Sequence, residues 1–222
     1  MFANVTCLRY WKSERADITT CEDALRSDVR HGLFCVADGA GTTIFSNIWA
    51  DILVEQFVQD PLMSSDPFEM EWWIRQAQKR YRGLAPKSDK LNWNARQKAL
   101  EQGAYATLAT LRFIRSDAQA LAAELLVIGD SCVIIGHPGK QQIVPFPLQH
   151  AQDFDRAPYC VPSLLKNLNR HVLYAKTYEV TLSPGDILIL ATDAVARWII
   201  SGGGSGNESH AWEAFLEIAQ KT

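Results

Sequence analysis

Cysteine is sparse in this 222-residue chain: there are five, and no two stand in a C-x-x-C spacing. A structural zinc site is therefore not expected. The odd count, with Cys35 and Cys132 inside apolar runs, fits reduced thiols in a cytoplasmic protein rather than a disulfide framework. The five histidines show no ligand spacing either, and His137 and His171 read as structural. Long apolar runs are also missing. No window approaches about eighteen consecutive apolar residues, and the first residues lack a basic start followed by an apolar stretch. Neither a membrane span nor a secretory signal is expected. A net charge of −3 without a concentrated basic patch speaks against a nucleic-acid surface. The cluster Arg75, Lys79, Arg80, Arg82 and Lys87 reads as a solvated helix face. No glycine-rich P-loop is present, which leaves a nucleotide or small-phosphoester hydrolase as a minor reading.

What the chain has is a core. Hydrophobic residues make up 47%, and the length suits one domain, or a domain short of its end. Residues 2–10 read as a first strand, and 23–28 with 32–37 as a hairpin. Residues 43–59 read as a helix, with apolar positions at three- and four-residue spacing and Thr42 or Thr43 as N-cap. A second helix is expected over 67–81, with Phe68, Trp72, Trp73 and Ala77 inward, and a third over 92–102. Strands are expected over 104–114, 121–128, 132–136, 142–145, 171–182 and 187–191. Residues 149–165 read as irregular and the Gly/Ser-rich 201–209 as mobile. Short helices are predicted over 194–200 and 211–220. Many antiparallel strands with adjacent helices indicate an α+β layered fold.

One device recurs along this chain. The apolar run Leu33 to Ala37 ends in Asp38-Gly39, Leu125 to Ile128 ends in Gly129-Asp130-Ser131, and Ile187 to Ala191 ends in Thr192-Asp193. Upstream stands the acidic pair Glu22-Asp23. Acids at the ends of buried strands can be gathered by a sheet rim into one site. Oxygen ligands of this kind suit hard divalent cations, and the Gly39 carbonyl adds an unshielded one. Each also has a plainer reading: Asp38-Gly39 as a turn, Asp130 closing a hairpin, Asp193 capping a helix, and Glu22-Asp23 in a solvated loop.

The ordered set resembles the protein phosphatase 2C family, the PPM-type metal-dependent phosphatases, and most of all its bacterial members. It comprises Glu22-Asp23, V-A-D-G-x-G at 36–41, G-A-x-A-T at 103–107, V-I-G-D-S at 127–131 and L-x-P-G-D-I-L-I-L-A-T-D-A at 182–194. The likeness spans about residues 15 to 200, and its last motif is the most specific. It implies an α-β-β-α sandwich: two antiparallel sheets flanked by helices, with a metal site in the cleft at one end. It implies a serine/threonine phosphoprotein phosphatase that hydrolyses phosphate monoesters with a metal-activated water. Asp38 would bridge two Mg²⁺ or Mn²⁺ ions, with the Gly39 carbonyl on one of them and Asp193 on the other. Glu22 and Asp23 would act through waters, and Asp130 would serve a third, weaker site. The implied partners are a phosphorylated protein, and a cognate Ser/Thr kinase or its targets.

Three positions depart from the family pattern. Ile18 stands where an arginine usually clamps the phosphate, and Arg15, seven residues before Glu22, is not expected to replace it. Ala40 follows Asp-Gly, as in bacterial members, where eukaryotic members have histidine. No Asp-Asp/Asn-x-Thr segment follows Gly206, so residues 1–222 read as a single phosphatase domain lacking that strand. The alternative is a degenerate, non-catalytic module that binds a kinase or phosphoprotein.

Overall fold

The computed structural model describes residues 21–41, 43–84, 92–115, 121–170 and 174–220. The predicted first strand, Arg15, Ile18, Thr42, Lys87 and His171 lie outside them. The strands are β1 (Asp23–Asp28), β2 (Leu33–Asp38), β3 (Tyr105–Ala106), β4 (Leu108–Arg115), β5 (Leu121–Ile128), β6 (Cys132–His137), β7 (Gln142–Phe146), β8 (Val161–Pro162), β9 (Lys176–Leu182) and β10 (Ile187–Ala191). The helices are α1 (Ser46–Gln59), α2 (Pro67–Leu84), α3 (Trp93–Glu101), α4 (Asp193–Ile200) and α5 (Ala211–Gln220).

Five strands form one sheet in the order β1-β2-β4-β5-β9, three form a second in the order β10-β6-β7, and β3 pairs with β8. Every pairing is antiparallel. Side-chain alternation along each strand explains the layers. Leu111, Leu125 and Val127 of the large sheet meet Val133, Ile135 and Leu188 of the small one. The opposite face of the large sheet, with Cys35, Leu126 and Ile128, packs on α1 and α2. The opposite face of the small sheet, with Cys132 and Ile134, packs on α4 and α5. Both faces of both sheets are covered, which is why β5 and β6 are almost continuously apolar. The expected α-β-β-α sandwich is observed. No described helix is long and apolar enough to cross a membrane.

The helices follow their apolar stripes, with corrections. Along α1, Trp49, Ile52, Leu53 and Phe57 are buried as expected. The helix begins at Ser46 rather than 43, because Thr43 closes a turn: its N–H and its hydroxyl both donate to the Ala40 carbonyl (2.9 and 2.8 Å). Phe45 then occupies the N-cap in the left-handed region at φ 60, with no side-chain cap. For a non-glycine residue that costs about 1–2 kcal/mol. On α2 the inward face is Met70, Trp73, Ile74, Ala77 and Tyr81, so Trp73 and Ala77 are placed as predicted. Phe68 and Trp72 are not: they are 84% and 57% exposed, one flank away from that face. Of the basic cluster, Arg75 pairs with Glu71 and Arg80 with Glu55 on the helix surface. Residues 201–209 form consecutive turns, with Gly202, Gly203, Gly204 and Gly206 all at positive φ.

The predicted strand 104–114 breaks at Thr107, into β3 and β4. Residues 149–165 contain a 3-10 turn over 151–155 and the short strand β8. Trp49 of α1 donates its indole N–H to the Val161 carbonyl (2.8 Å), tying β8 to the helix layer.

Candidate functional site

Antiparallel register builds one half of the site. Asp38, the last residue of β2, stands opposite Asp23, the first of β1. The next residue, Gly39, donates its N–H to the Glu22 carbonyl (3.1 Å). The Glu22 carboxylate accepts the Ser46 hydroxyl (3.0 Å) at the start of α1. Two glycines make this possible. A Cβ on Gly39 would lie 2.8 Å from the Ser46 carbonyl, and one on Gly41 would lie 2.7 Å from the Glu22 carboxylate. The Ser46 backbone thus requires glycine at position 39, whereas a side chain at 41 would displace the Glu22 carboxylate.

The other half comes from the small sheet. The chain leaves β5 through Gly129-Asp130-Ser131 and enters β6 at Cys132. Gly129 has φ +93, and a Cβ there would meet the Thr107 methyl and the Tyr159 carbonyl at 2.6 Å. Cys132 pairs with Ala191, the last residue of β10. Thr192-Asp193 thus leaves the small sheet at the rim where Asp130-Ser131 enters it. Asp193 is the first residue of α4, and Thr192 is the N-cap. The Asp193 carboxylate accepts its neighbour Ala194 N–H (2.6 Å). The expectation that Asp193 itself caps the helix is corrected by one residue.

Thr107 joins the halves. Its hydroxyl oxygen accepts the Asp38 N–H (3.2 Å) and lies 2.6 Å from the Ser131 hydroxyl. Its own N–H donates to the Asp38 carbonyl (2.9 Å). Thr107 and Ser131 are buried, so these bonds act in a water-poor setting. Sequence reasoning did not single out Thr107, Ser131 or Ser46. Thr107 lies inside the G-A-x-A-T segment, but only the strand break at that position reveals its part.

Asp38 and Asp130 are 9% and 8% exposed, whereas Glu22, Asp23 and Asp193 are half-buried. Two thiols register the acids' proximity. Burial pushes the Cys160 thiol up to about 12, with the charges of Asp130 and Asp38 adding to the shift. Burial also pushes Cys132 up to about 12, with Asp130 and Asp193 contributing. Asp38 and Asp130 thus lie near the first thiol, and Asp130 and Asp193 near the second. Among the described residues, no three His, Cys, Asp or Glu side chains converge closely enough to enclose an ion. A closed cage of the zinc kind is absent from the described residues. A hydrated Mg²⁺ or Mn²⁺ needs only one or two carboxylates, with waters or a phosphate completing the shell. The all-oxygen donor set fits that manner of binding.

Solved structures share the fold. The serine/threonine phosphatase PstP/Ppp of Mycobacterium tuberculosis superposes with a TM-score of 0.55 at 11% identity, covering 93% of this chain and 88% of that one. Stp1, a serine/threonine phosphatase from Staphylococcus aureus, gives 0.54 at 13% identity, covering 94% and 86%. PppA of Pseudomonas aeruginosa, described as a key regulatory component of T6SS, gives 0.53 at 14%, covering 90% and 83%. No curated protein sequence matches significantly. The family model of protein phosphatase 2C matches residues 12–219, nearly the whole length, and the chain belongs to that family.

Proposed function

We propose that this chain is a single-domain, metal-dependent serine/threonine phosphoprotein phosphatase. The observation that supports the reading is that Asp38, Asp130 and Asp193 stand at strand ends on one rim where the two sheets meet, with the Thr107 hydroxyl bonded to the Asp38 N–H and the Ser131 hydroxyl. Family and fold are those of Ser/Thr phosphatases. In this reading Asp38, the Gly39 carbonyl and Asp193 hold two Mg²⁺ or Mn²⁺ ions. Glu22 and Asp23 act through waters, and Asp130 serves a third, weaker position. When bound, such ions acidify a water and neutralise phosphoryl oxygens. The chain's own residues supply position. Thr107 holds the Asp38 backbone against the small sheet, and Ser46 orients the Glu22 carboxylate. Ala40 offers no proton to the leaving group, so water or another group provides it. The substrate is a phosphorylated protein, with a cognate kinase or its targets as partners, in the cytoplasm.

A non-catalytic binding module is the second reading. It is favoured by the absence of a three-acid cluster among the described residues and by the bond between the Asp193 carboxylate and Ala194. Hydrolysis of an aryl phosphate with Mn²⁺ separates the two. Wild type should turn over, and Asp38→Asn should lose activity by orders of magnitude while melting as wild type does. Full activity in Asp38→Asn would remove Asp38 from the chemistry. A wild type inactive with either metal would favour the binding module.

A further inference from the structure

The outward face of α2 changes character along its length. Met70, Trp73, Ile74, Ala77 and Tyr81 point inward. At about 100° per residue, the outermost row is then Phe68, Trp72, Gln76, Lys79 and Gly83. The N-terminal half of that row is aromatic, with Phe68 and Trp72 both exposed. Acids surround it. Asp66 accepts the N–H groups of Phe68 and Glu69 (2.9 and 3.1 Å). Asp60 and Glu69, with Pro61, Leu62 and both rings, line a groove of about 420 Å³. The C-terminal half carries the exposed cations Lys79 and Arg82 instead.

Gly83 is the second observation. Among ordinary residues only proline suits a helix less. Gly83 is not among the glycines at positive φ, so it is not a left-handed helix terminator. A Cβ built on it would meet nothing within 4 Å, so no packing inside the chain requires its absence. Neither backbone conformation nor intramolecular contact accounts for a glycine on this crest.

A second copy of the same helix accounts for both observations. Laid antiparallel along the row, it has its two-fold axis at the midpoint of α2, between Arg75 and Gln76. Residues then meet in reversed order: Lys79 comes opposite Trp72, and Gly83 opposite Phe68. An ammonium over an indole face is a favourable cation–π contact. The bare backbone of Gly83 leaves room for the opposing phenyl ring. The acidic end of each helix lies against the cationic end of the other, and antiparallel helix dipoles agree with that arrangement. Arg75 comes nearest to its own copy at the axis, and there Glu71 already neutralises it.

We infer that the outward face of α2 is a self-complementary docking surface on which a second copy of this chain binds antiparallel. The inference goes beyond the phosphatase reading and does not draw on it. A single helix pair buries less than the roughly 800 Å² per partner of a standard interface, so association in the micromolar range is expected.

Sedimentation equilibrium of the full chain across the micromolar range tests it. The mass should rise from the 24.9 kDa of one chain to twice that value. Gly83→Gln should melt at or above wild type, because the new side chain meets nothing in its own chain and favours the helix. It should nevertheless raise the dimer Kd at least about tenfold. Trp72→Lys and Lys79→Glu should each weaken association, the first by setting like charges opposite one another and the second by removing the cation from the indole. Combined in one chain they restore opposite charges across the axis, so the double variant should associate more tightly than either single one. A wild type that stays monomeric throughout overturns the inference. A dimer whose Kd is unchanged in Gly83→Gln and Lys79→Glu forms through another face and overturns it too. A double variant weaker than both single ones excludes the antiparallel register.

Discussion

Thr107→Val is nearly isosteric and tests whether the two halves of the rim are strapped together. The substitution keeps the shape, keeps the backbone bond from Thr107 N–H to the Asp38 carbonyl, and removes only the hydroxyl. Two polar groups then lose the bond to that hydroxyl: the Asp38 N–H at 3.2 Å and the Ser131 hydroxyl at 2.6 Å. Both residues are buried, and Ser131 is fully so. Leaving a buried polar group unsatisfied costs about 1–3 kcal/mol. Two such groups, partly relieved by relaxation, should cost about 3 kcal/mol in all. For a domain of this size that is a fall in Tm of roughly 6–12 °C. Urea unfolding gives the free energy directly, and the m-value should not change, since the core is untouched. Thr107→Ser keeps the hydroxyl and should recover most of the loss. Activity should fall further than stability in Thr107→Val, because Asp38 and Asp130 are no longer held across the sheet boundary. A Thr107→Val protein within about 0.5 kcal/mol of wild type would refute the argument. So would a Thr107→Ser protein as unstable as Thr107→Val.

Other measurements probe other links. Titration calorimetry of Mn²⁺ into wild type and Asp193→Ala should show weaker binding or a lost site in the variant. Identical affinity and stoichiometry would reduce Asp193 to the first residue of a helix, where its loss costs on the order of 1 kcal/mol at most. The His150–Glu208 pair (3.1 Å) should make stability pH-dependent. The Glu208 hydrogen bond and charge hold the imidazole above its ordinary 6.5, so that contribution is full below 6.5 and is lost as pH rises through the folded value. The same bond holds Glu208 below its ordinary 4.5, so its contribution is full above 4.5 and is lost as pH falls through the folded value. The stability difference between wild type and Glu208→Gln should be greatest between 4.5 and 6.5 and fade in both acid and alkali; a difference that stays the same from acid to alkali would show the contact to be idle.

The strand ends were legible because the signals there are local. Asp38-Gly39, Gly129-Asp130 and Thr192-Asp193 each follow an apolar run, and a run bounded by turn residues is a strand whatever lies around it. The acids at those ends were candidates for the same reason. The layers follow from strands apolar on both faces, which demand cover on both sides. What tertiary structure alone decided is which ends share a rim. Asp38 and Asp130 share a rim because β2, β4 and β5 are neighbours in register, and Asp130 and Asp193 share it because β6 pairs with β10. Strand order depends on contacts between residues far apart in the chain, and no spacing encodes it. The same holds for the break at Thr107, set by hydrogen bonds to Asp38 and Ser131, 69 and 24 residues away. It also holds for the left-handed Phe45 at the start of α1, which local preference would not choose. Phe68 and Trp72 show the limit from the other side. Periodicity identified the helix, but its rotational phase was set by the surface it packs on, and that turned both rings outward.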